Sequence, residues 1–263
     1  MIRPSACARK VDMNDQASVI RDTDEGARKL ARTLLRSARY AAIAVLDPQT
    51  GFPFSSRVLL GTDFDGVPVI LVSGLSTHTR ALDADPRASL LTGEPGKGDP
   101  LAYARLTTQC RAAAVERDSA AHARIRDRFL ARHAKAKLYI DFADFRFFRL
   151  IPESASLNGG FGRAYILSGE ELMIRSHANE DVASSAAEVV RDLLALEPDL
   201  ARKTAIAHKA RTGTKWAICG VDCAGFDVIS GDLLLRHEFD TSVSSRVELY
   251  SHISNMKYSI PEI

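Results

Sequence analysis

The run from Ser56 to Leu91, SRVLLGTDFDGVPVILVSGLSTHTRALDADPRASLL, constrains the fold more than any other stretch of the chain. Two β-rich segments flank Asp63-Phe64-Asp65-Gly66, where Asp-Gly tolerates the positive φ of a hairpin turn. Thr77 to Ala84 then reads as a short helix stopped by Asp85-Pro86, and Ala88 to Thr92 reads as a return strand. A hairpin followed by so short a helix favours an antiparallel sheet over a βαβ one. The same order puts Ser76, Thr77, His78 and Thr79 at a helix N-terminus. Free backbone N–H groups and the helix dipole favour an anionic group there.

The rest of the chain extends this pattern. Ala27, Leu30, Ala31, Leu34, Leu35 and Ala38 fall on one face of a helix over 24–38. Tyr40 to Leu46 reads as a strand, Asp47 to Gly51 as a turn, and Phe54 to Leu60 with Val67 to Val72 as the hairpin strands. A breaker-rich loop over 93–100 precedes a long β-segment, Ala102 to Val115, a helix, Ser119 to Arg132, and two β-runs, Lys137 to Phe142 and Phe145 to Ile151. Such an order predicts a closed antiparallel barrel, since closure removes exposed strand edges. Near Ser168-Gly169-Glu170 the character changes. Helices over 181–196 and 199–210, strands over 216–221, 226–230 and 233–239, and a last helix from about Ser244 form a small α+β unit. The expected division is a polar, mobile arm over 1–22, a barrel domain over 23–167 and an α+β domain over 168–263.

Length and composition narrow the function classes. At 263 residues, 46% hydrophobic and 26% charged, the chain has the balance of a globular protein with a sizeable core. A formal net charge of +2 argues against a nucleic-acid or acidic-membrane surface. No apolar run approaches the roughly 20 residues that span a bilayer, and the N-terminus lacks the apolar core of a secretory signal, so a cytoplasmic protein is expected. The four cysteines, Cys7, Cys110, Cys219 and Cys223, suit reduced, scattered thiols. Cys219 and Cys223 have no second pair beside them, so they read as buried small residues rather than a closed zinc site.

Three segments are candidates for chemistry. Arg57 lies mid-strand, either a plain barrel-exterior arginine or a guanidinium that grips a phosphate or carboxylate with paired donors. Ser76 to Arg80 offers hydroxyls, an imidazole and a guanidinium; an N-cap accounts for Ser76 or Thr77 but not for His78 and Thr79. In Asn158 to Arg163, three glycines let backbone approach a planar ligand, with Phe161 for ring contact and Arg163 for an anionic substituent; a simple interdomain turn is the alternative. His122 and His133 read as surface residues. No nucleophile-elbow motif supports a Ser-His-Asp hydrolase.

These segments resemble the FMN-binding split-barrel superfamily, typified by pyridoxamine-5'-phosphate oxidase, and more closely its heme-utilisation branch, in which the barrel is joined to a small C-terminal α+β domain. The matching pieces are 56–60, 75–91, 98–107, 138–150 and 157–164, with 176–181 and 220–228 in the tail. The resemblance implies an α+β fold, an antiparallel split barrel with flanking helices, and a homodimer whose ligand sites are built from both chains. It implies cofactor contacts by Arg57, Val58, Leu59, Ser73, Ser76, Thr77, His78, Thr79, Phe161 and Arg163. The oxidase carries Ser-Arg-Lys at the helix start and a lysine after the arginine strand; here Ser76-Thr77-His78 and Thr62 stand in those places. Each charge-assisted hydrogen bond so lost is worth about 1.5–3 kcal/mol, which argues against oxidation of pyridoxamine phosphate. The heme branch carries a His-Thr at that helix start, matched by His78-Thr79. One mode of iron ligation in the branch uses a histidine near the C-terminus, to which His252 is nearest.

Three functions follow from the resemblance. The first is an FMN-dependent oxidoreductase, with FMN as the superfamily's default cofactor. The second is a heme-binding or heme-degrading protein. The third is a non-enzymatic binder of the tetrapyrrole pathway, like the plant glutamyl-tRNA-reductase-binding proteins. All three place a small planar anionic ligand at a dimer seam, with no nucleic acid and no membrane.

Overall fold

The structure is a computed structural model, and its described residues are 20–160, 162–210 and 215–256. The Asp24 carboxylate accepts the Ala27 N–H and caps helix α1 (Glu25–Ser37), whose Ala27, Ala31 and Leu35 are buried in the barrel core. Strand β1 (Tyr40–Leu46) pairs antiparallel with β2 (Pro53–Thr62), and β2 with β3 (Pro68–Ser73). At the turn between β2 and β3, Gly66 has φ +91°, and a Cβ there would collide with the Arg36 guanidinium. Helix α2 (Thr77–Ala84) packs on β1 and β2, and β4 (Arg87–Thr92) pairs with the free side of β1. Then come β5 (Arg105–Ala114), helix α3 (Ala120–Arg132), β6 (Phe145–Asn158) and β7 (Ala164–Ser168).

Strand β6 both closes and splits the barrel. Its first part, Phe145–Arg149, pairs with β3 and shuts a six-stranded antiparallel ring; its last part, Ser154–Asn158, pairs instead with β7. The change of partner coincides with a bulge, where Cys110 faces Pro152 and Gln109 faces Ser154, leaving Glu153 unpaired. Proline lacks the N–H a ladder needs, so it is tolerated where the ladder is already broken. The result is the α+β split barrel that the sequence predicts.

Seven further elements form the C-terminal unit: α4 (His177–Ser184), α5 (Ala186–Leu196), α6 (Leu200–Ala207), β8 (Ala217–Asp222), β9 (Gly225–Ser230), β10 (Leu233–Glu238) and α7 (Arg246–Ser254). The sheet order is β10-β9-β8. Its core, built on Leu193, Phe226, Val228 and Leu249, also takes in Phe64 from the β2–β3 turn.

A buried ionic network fastens this unit to the barrel. Arg36 from α1 and Arg128 from α3 reach Asp222 Oδ2 at 3.0 and 2.8 Å, and Arg236 grips the same carboxylate at 2.9 and 2.6 Å. Arg132 donates to Asp227 Oδ2 at 3.1 Å and to the Arg36 carbonyl at 2.7 Å. The guanidiniums hold the Asp222 carboxyl far below the usual carboxylate range against the opposing effect of burial.

Four local expectations give way. Lys137 to Phe142 is not a strand: a 3₁₀ turn (Ala134–Leu138) and further turns put Ala136 and Ile140, four residues apart, into the core beside Phe129 and Phe147. The helix expected over 181–196 breaks at Ser185, where Ser184 and Ser185 hydroxyls both bond the Asp181 carbonyl in competition with the helix ladder. His122 and His133 are buried, not superficial. The His122 ring meets Phe147 edge-on at 5.5 Å, and His133 Nε2 lies 2.9 Å from the Leu60 carbonyl. Most of the arm over 1–22 lies outside the described residues, but Ile20 bridges Ala164 and the Arg21 N–H bonds the Ala164 carbonyl, so its end is tied to β7.

Candidate functional site

Strand alternation turns one set of side chains into the barrel and the other onto its outer surface. Val58, Leu60, Ile43, Leu90 and Leu157 go inward. The registers align two outward rows across six strands. One row runs Arg57, Ala42, Leu91, Thr107, Ser156, Ile166; the next runs Ser55, Ala44, Ser89, Gln109, Ser154, Ser168. Only Arg57 in these rows is charged, and Leu91 and Ile166 are about half exposed, at 46% and 51%. These two rows are poor in charge for an exposed surface.

Arg57 stands at one margin of that face, its guanidinium 5.1 Å from the centre of the Tyr40 ring. Hydrogen bonding to Glu94 pushes the Tyr40 phenol up in pKa and links the loop after β4 to this margin. Leu59, the cross-strand partner of Tyr40, is half-buried beside it; Val58 points into the core.

On the opposite side of β2, Ser56 Oγ lies 3.0 Å from His78 Nδ1 and joins β2 to α2. Burial lowers the His78 pKa, so its imidazole is neutral at pH 7. The structure also joins Ser73 to Thr79: the buried Thr79 hydroxyl donates to the Ser73 carbonyl at 2.7 Å, and Ser73 Oγ donates to Asp144 Oδ2 at 2.6 Å. Thr79 therefore faces the protein and not the surface. Ser76 sits at the N-cap of α2 without a side-chain cap bond, and Thr77 Oγ1 has only a 3.4 Å contact from Arg80. Arg80 is turned back onto the Leu75 carbonyl at 2.9 Å.

Arg163 ends the turn between β6 and β7. It donates to the Gly159 carbonyl at 2.7 Å from an otherwise exposed side chain. Gly160 there has φ +101°, and a Cβ would meet the Ala102 carbonyl at 3.0 Å, so the glycine is needed. Phe161 lies outside the described residues. In sheet order β1, β4, β5 and β6 separate β2 from β7. Arg57 and Arg163 thus stand at opposite margins of the uncharged face, which curves around the barrel. His252 is on α7 in the C-terminal unit, its ring 4.3 Å from that of Phe239.

No group of three or more potential metal ligands occurs among the described residues. Burial pushes the Cys219 and Cys223 thiols up to about 12 and 11, so both stay protonated. Tyr40, Glu94 and the outward rows are the site features that motif reading passed over. The signal was present in Tyr40-Ala42-Ala44, every second residue of β1.

The family model described as CREG, beta-barrel matches residues 22–173, more than half the chain. The protein belongs to this family. As a CREG beta-barrel protein it falls in the split-barrel superfamily and the heme-utilisation branch that its motifs suggest. It is 34% identical over 164 residues to the non-canonical heme oxygenase HOZ, chloroplastic, of Arabidopsis thaliana, across 59% of this chain and 49% of that protein. The chain thus spans about half the length of this curated relative. Its fold superposes on the protein Atu2129 (unknown function) of Agrobacterium tumefaciens with TM-score 0.77 and 30% identity, covering 89% of this chain and 96% of that one. A heme binding protein from Mycobacterium smegmatis matches with TM-score 0.52 and 29% identity, covering 89% of this chain and all of that one. Among the described residues no helix is long and apolar enough to cross a membrane.

Proposed function

We propose that this CREG beta-barrel protein binds heme on the uncharged outer face of the barrel, as a homodimer in which two copies cover that face. The observation that carries the reading is the pair of outward rows with an arginine at each margin. A flat apolar macrocycle with anionic substituents suits an uncharged surface edged by guanidiniums. Within one chain Arg57 and Arg163 edge the face from opposite margins. A two-fold axis through the face brings one copy's Arg57 margin toward the other copy's Arg163 margin. The relatives named for heme support the same ligand.

FMN, the superfamily's default cofactor, fits less well. Its phosphate wants cations at the α2 start, where the only one, Arg80, is folded back onto Leu75. Thr79 is spent internally and His78 is neutral.

When bound, heme supplies an iron centre for dioxygen chemistry directed at its own macrocycle. The chain's residues then have separable tasks. Arg57, held flat by Tyr40, binds one carboxylate; Arg163 binds another; Ala42, Leu91 and Ile166 exclude water. Hemin titration, followed by the Soret band, tests the reading. Saturable binding is expected, weakened at least about tenfold by Arg57→Ala or Arg163→Ala, the loss of one charge-assisted hydrogen bond. Absence of a Soret shift, together with FMN copurifying in its place, refutes it. Adding ascorbate to the same sample separates a degrading enzyme, which bleaches the band, from a carrier, which keeps it.

A further inference from the structure

We infer that the protein has a second ligand site, for a small oxyanion-bearing metabolite, in the cleft between the barrel and the C-terminal unit. The cleft encloses about 720 Å³, within the range of small-molecule sites. The turn between β2 and β3, with β6 and the start of α3, makes one wall; the segment entering α4 makes the other. None of its lining residues belongs to the outward rows of the barrel face.

The barrel wall presents donors and withholds its acceptors. Buried Asp63 takes the Phe64 N–H at 2.9 Å and Arg124 Nε at 3.2 Å on Oδ1. Its Oδ2 takes Arg124 Nη2 at 2.8 Å and lies 3.1 Å from Arg149 Nε. Oδ1 is thus filled and Oδ2 is held between two guanidiniums, so the charge of this carboxylate is spent on the two arginines. Asp65 is similarly engaged, accepting the Val67 N–H at 3.0 Å and Arg149 Nη2 at 2.7 Å. What remains is Nη1 of Arg124 and of Arg149, neither with a protein acceptor among the described residues, on side chains 35% and 26% exposed.

The two carboxylates hold the guanidiniums in fixed orientation with their spare edges unpaired. Arg175, 69% exposed and paired through Nη2 with Glu170 at 3.1 Å, adds a third guanidinium at the mouth beside His177, and Glu180 is the acid of the lining without an ion pair among the described residues. Rigid, half-desolvated arginines with spare N–H pairs select phosphate or carboxylate groups over cations. The chemistry is shared by phosphate esters and polycarboxylates, so the test carries a probe of each.

Isothermal titration of the full chain with pyrophosphate and, separately, citrate reads the site. Ala120→Trp fills the cleft from the first turn of α3, where Ala120 is exposed, and Arg175→Glu reverses the charge at its mouth. Neither residue is itself a member of the Asp63–Arg124–Arg149 cluster, and an unchanged far-UV circular dichroism spectrum and urea midpoint report that each variant is folded. The expected result is one equivalent of at least one probe bound by the wild type, weakened tenfold or more in both variants; the tighter probe names the ligand's head group. The inference is overturned if neither probe binds, if both variants bind as well as the wild type, or if hemin displaces the probe. This site does not depend on the heme reading: a protein that binds pyrophosphate here but no hemin refutes only the latter.

Discussion

Asp222→Asn tests whether the buried network holds the C-terminal unit to the barrel. Asp222 is fully buried and meets three guanidiniums: Arg36 at 3.0 Å, Arg128 at 2.8 Å, and Arg236 through two contacts at 2.9 and 2.6 Å. Its Oδ1 also accepts the Ala224 N–H at 3.0 Å, fixing the turn between β8 and β9. Asparagine keeps the shape but removes the charge, and it turns an amide donor toward groups that are all donors. Asp227 then remains beside Arg128, Arg132 and Arg236, while Arg36 loses the carboxylate it pairs with. Breaking a buried pair by removing one partner costs about 3–5 kcal/mol, because the surviving charge is left uncompensated. That is a large share of the roughly 5–15 kcal/mol that stabilises an ordinary domain.

Urea unfolding read by two probes measures the effect. Trp216, the single tryptophan, packs on the C-terminal core, and far-UV circular dichroism reports both units. The expected outcome is an early Trp216 transition in Asp222→Asn, detached from the later loss of barrel signal. Asp232→Asn serves as control, since its pair with Arg39 is almost wholly exposed on the aspartate side and should change little. The Asp222 pKa is depressed in the folded state, so its contribution is present above the ordinary carboxylate range and is lost only as pH falls far below it. A variant within about 1 kcal/mol of wild type, with its two probes still coincident, would refute the reasoning.

Other outcomes follow from single residues. Burial holds the His133 pKa at about 4, below its ordinary 6.5, so the unfolded chain takes up the proton first; stability is full above about pH 6.5 and falls toward pH 4, and the fall in urea midpoint across that range should be shallower in His133→Gln. Half-buried His237, also held at about 4, keeps its own share of that fall. Ala42→Arg puts a second charge on the outward rows directly beside Arg57 and should turn the proposed dimer into a monomer in analytical ultracentrifugation, with hemin binding lost alongside. His252→Ala should leave the Soret titration within about twofold of wild type, because the ring lies against Phe239 in the C-terminal unit; a displaced Soret band would show that a partner copy brings this helix to the ligand. Gly160→Val should strain a turn at φ +101° and weaken hemin binding through Arg163 without changing the Arg57 margin.

What was legible in the sequence, and what was not, divides along a physical line. Local chemistry read true: Asp65-Gly66 makes the hairpin turn, Asp85-Pro86 ends α2, and the last helix starts within two residues of Ser244, at Arg246. Each depends on the backbone preferences of a few adjacent residues. Lys137 to Phe142 misled because its apolar residues also suit a helical spacing, and only packing against Phe129 and Phe147 decides between the two. The ionic network is invisible for a different reason. Arg36 and Asp222 are 186 positions apart, and each alone resembles a solvated surface charge. The site divides in the same way. Arg57, His78 and Arg163 are visible as chemistry, yet alternation alone cannot say which strands lie beside β2. Only the registers show that Arg57 and Arg163 bound one uncharged face from opposite sides, and that His78 lies beneath it, bonded to Ser56. A list of such residues describes a single pocket; the sheet order instead sets Arg57 and Arg163 at two margins of one face, and the proposed dimer is the arrangement that would bring such margins together.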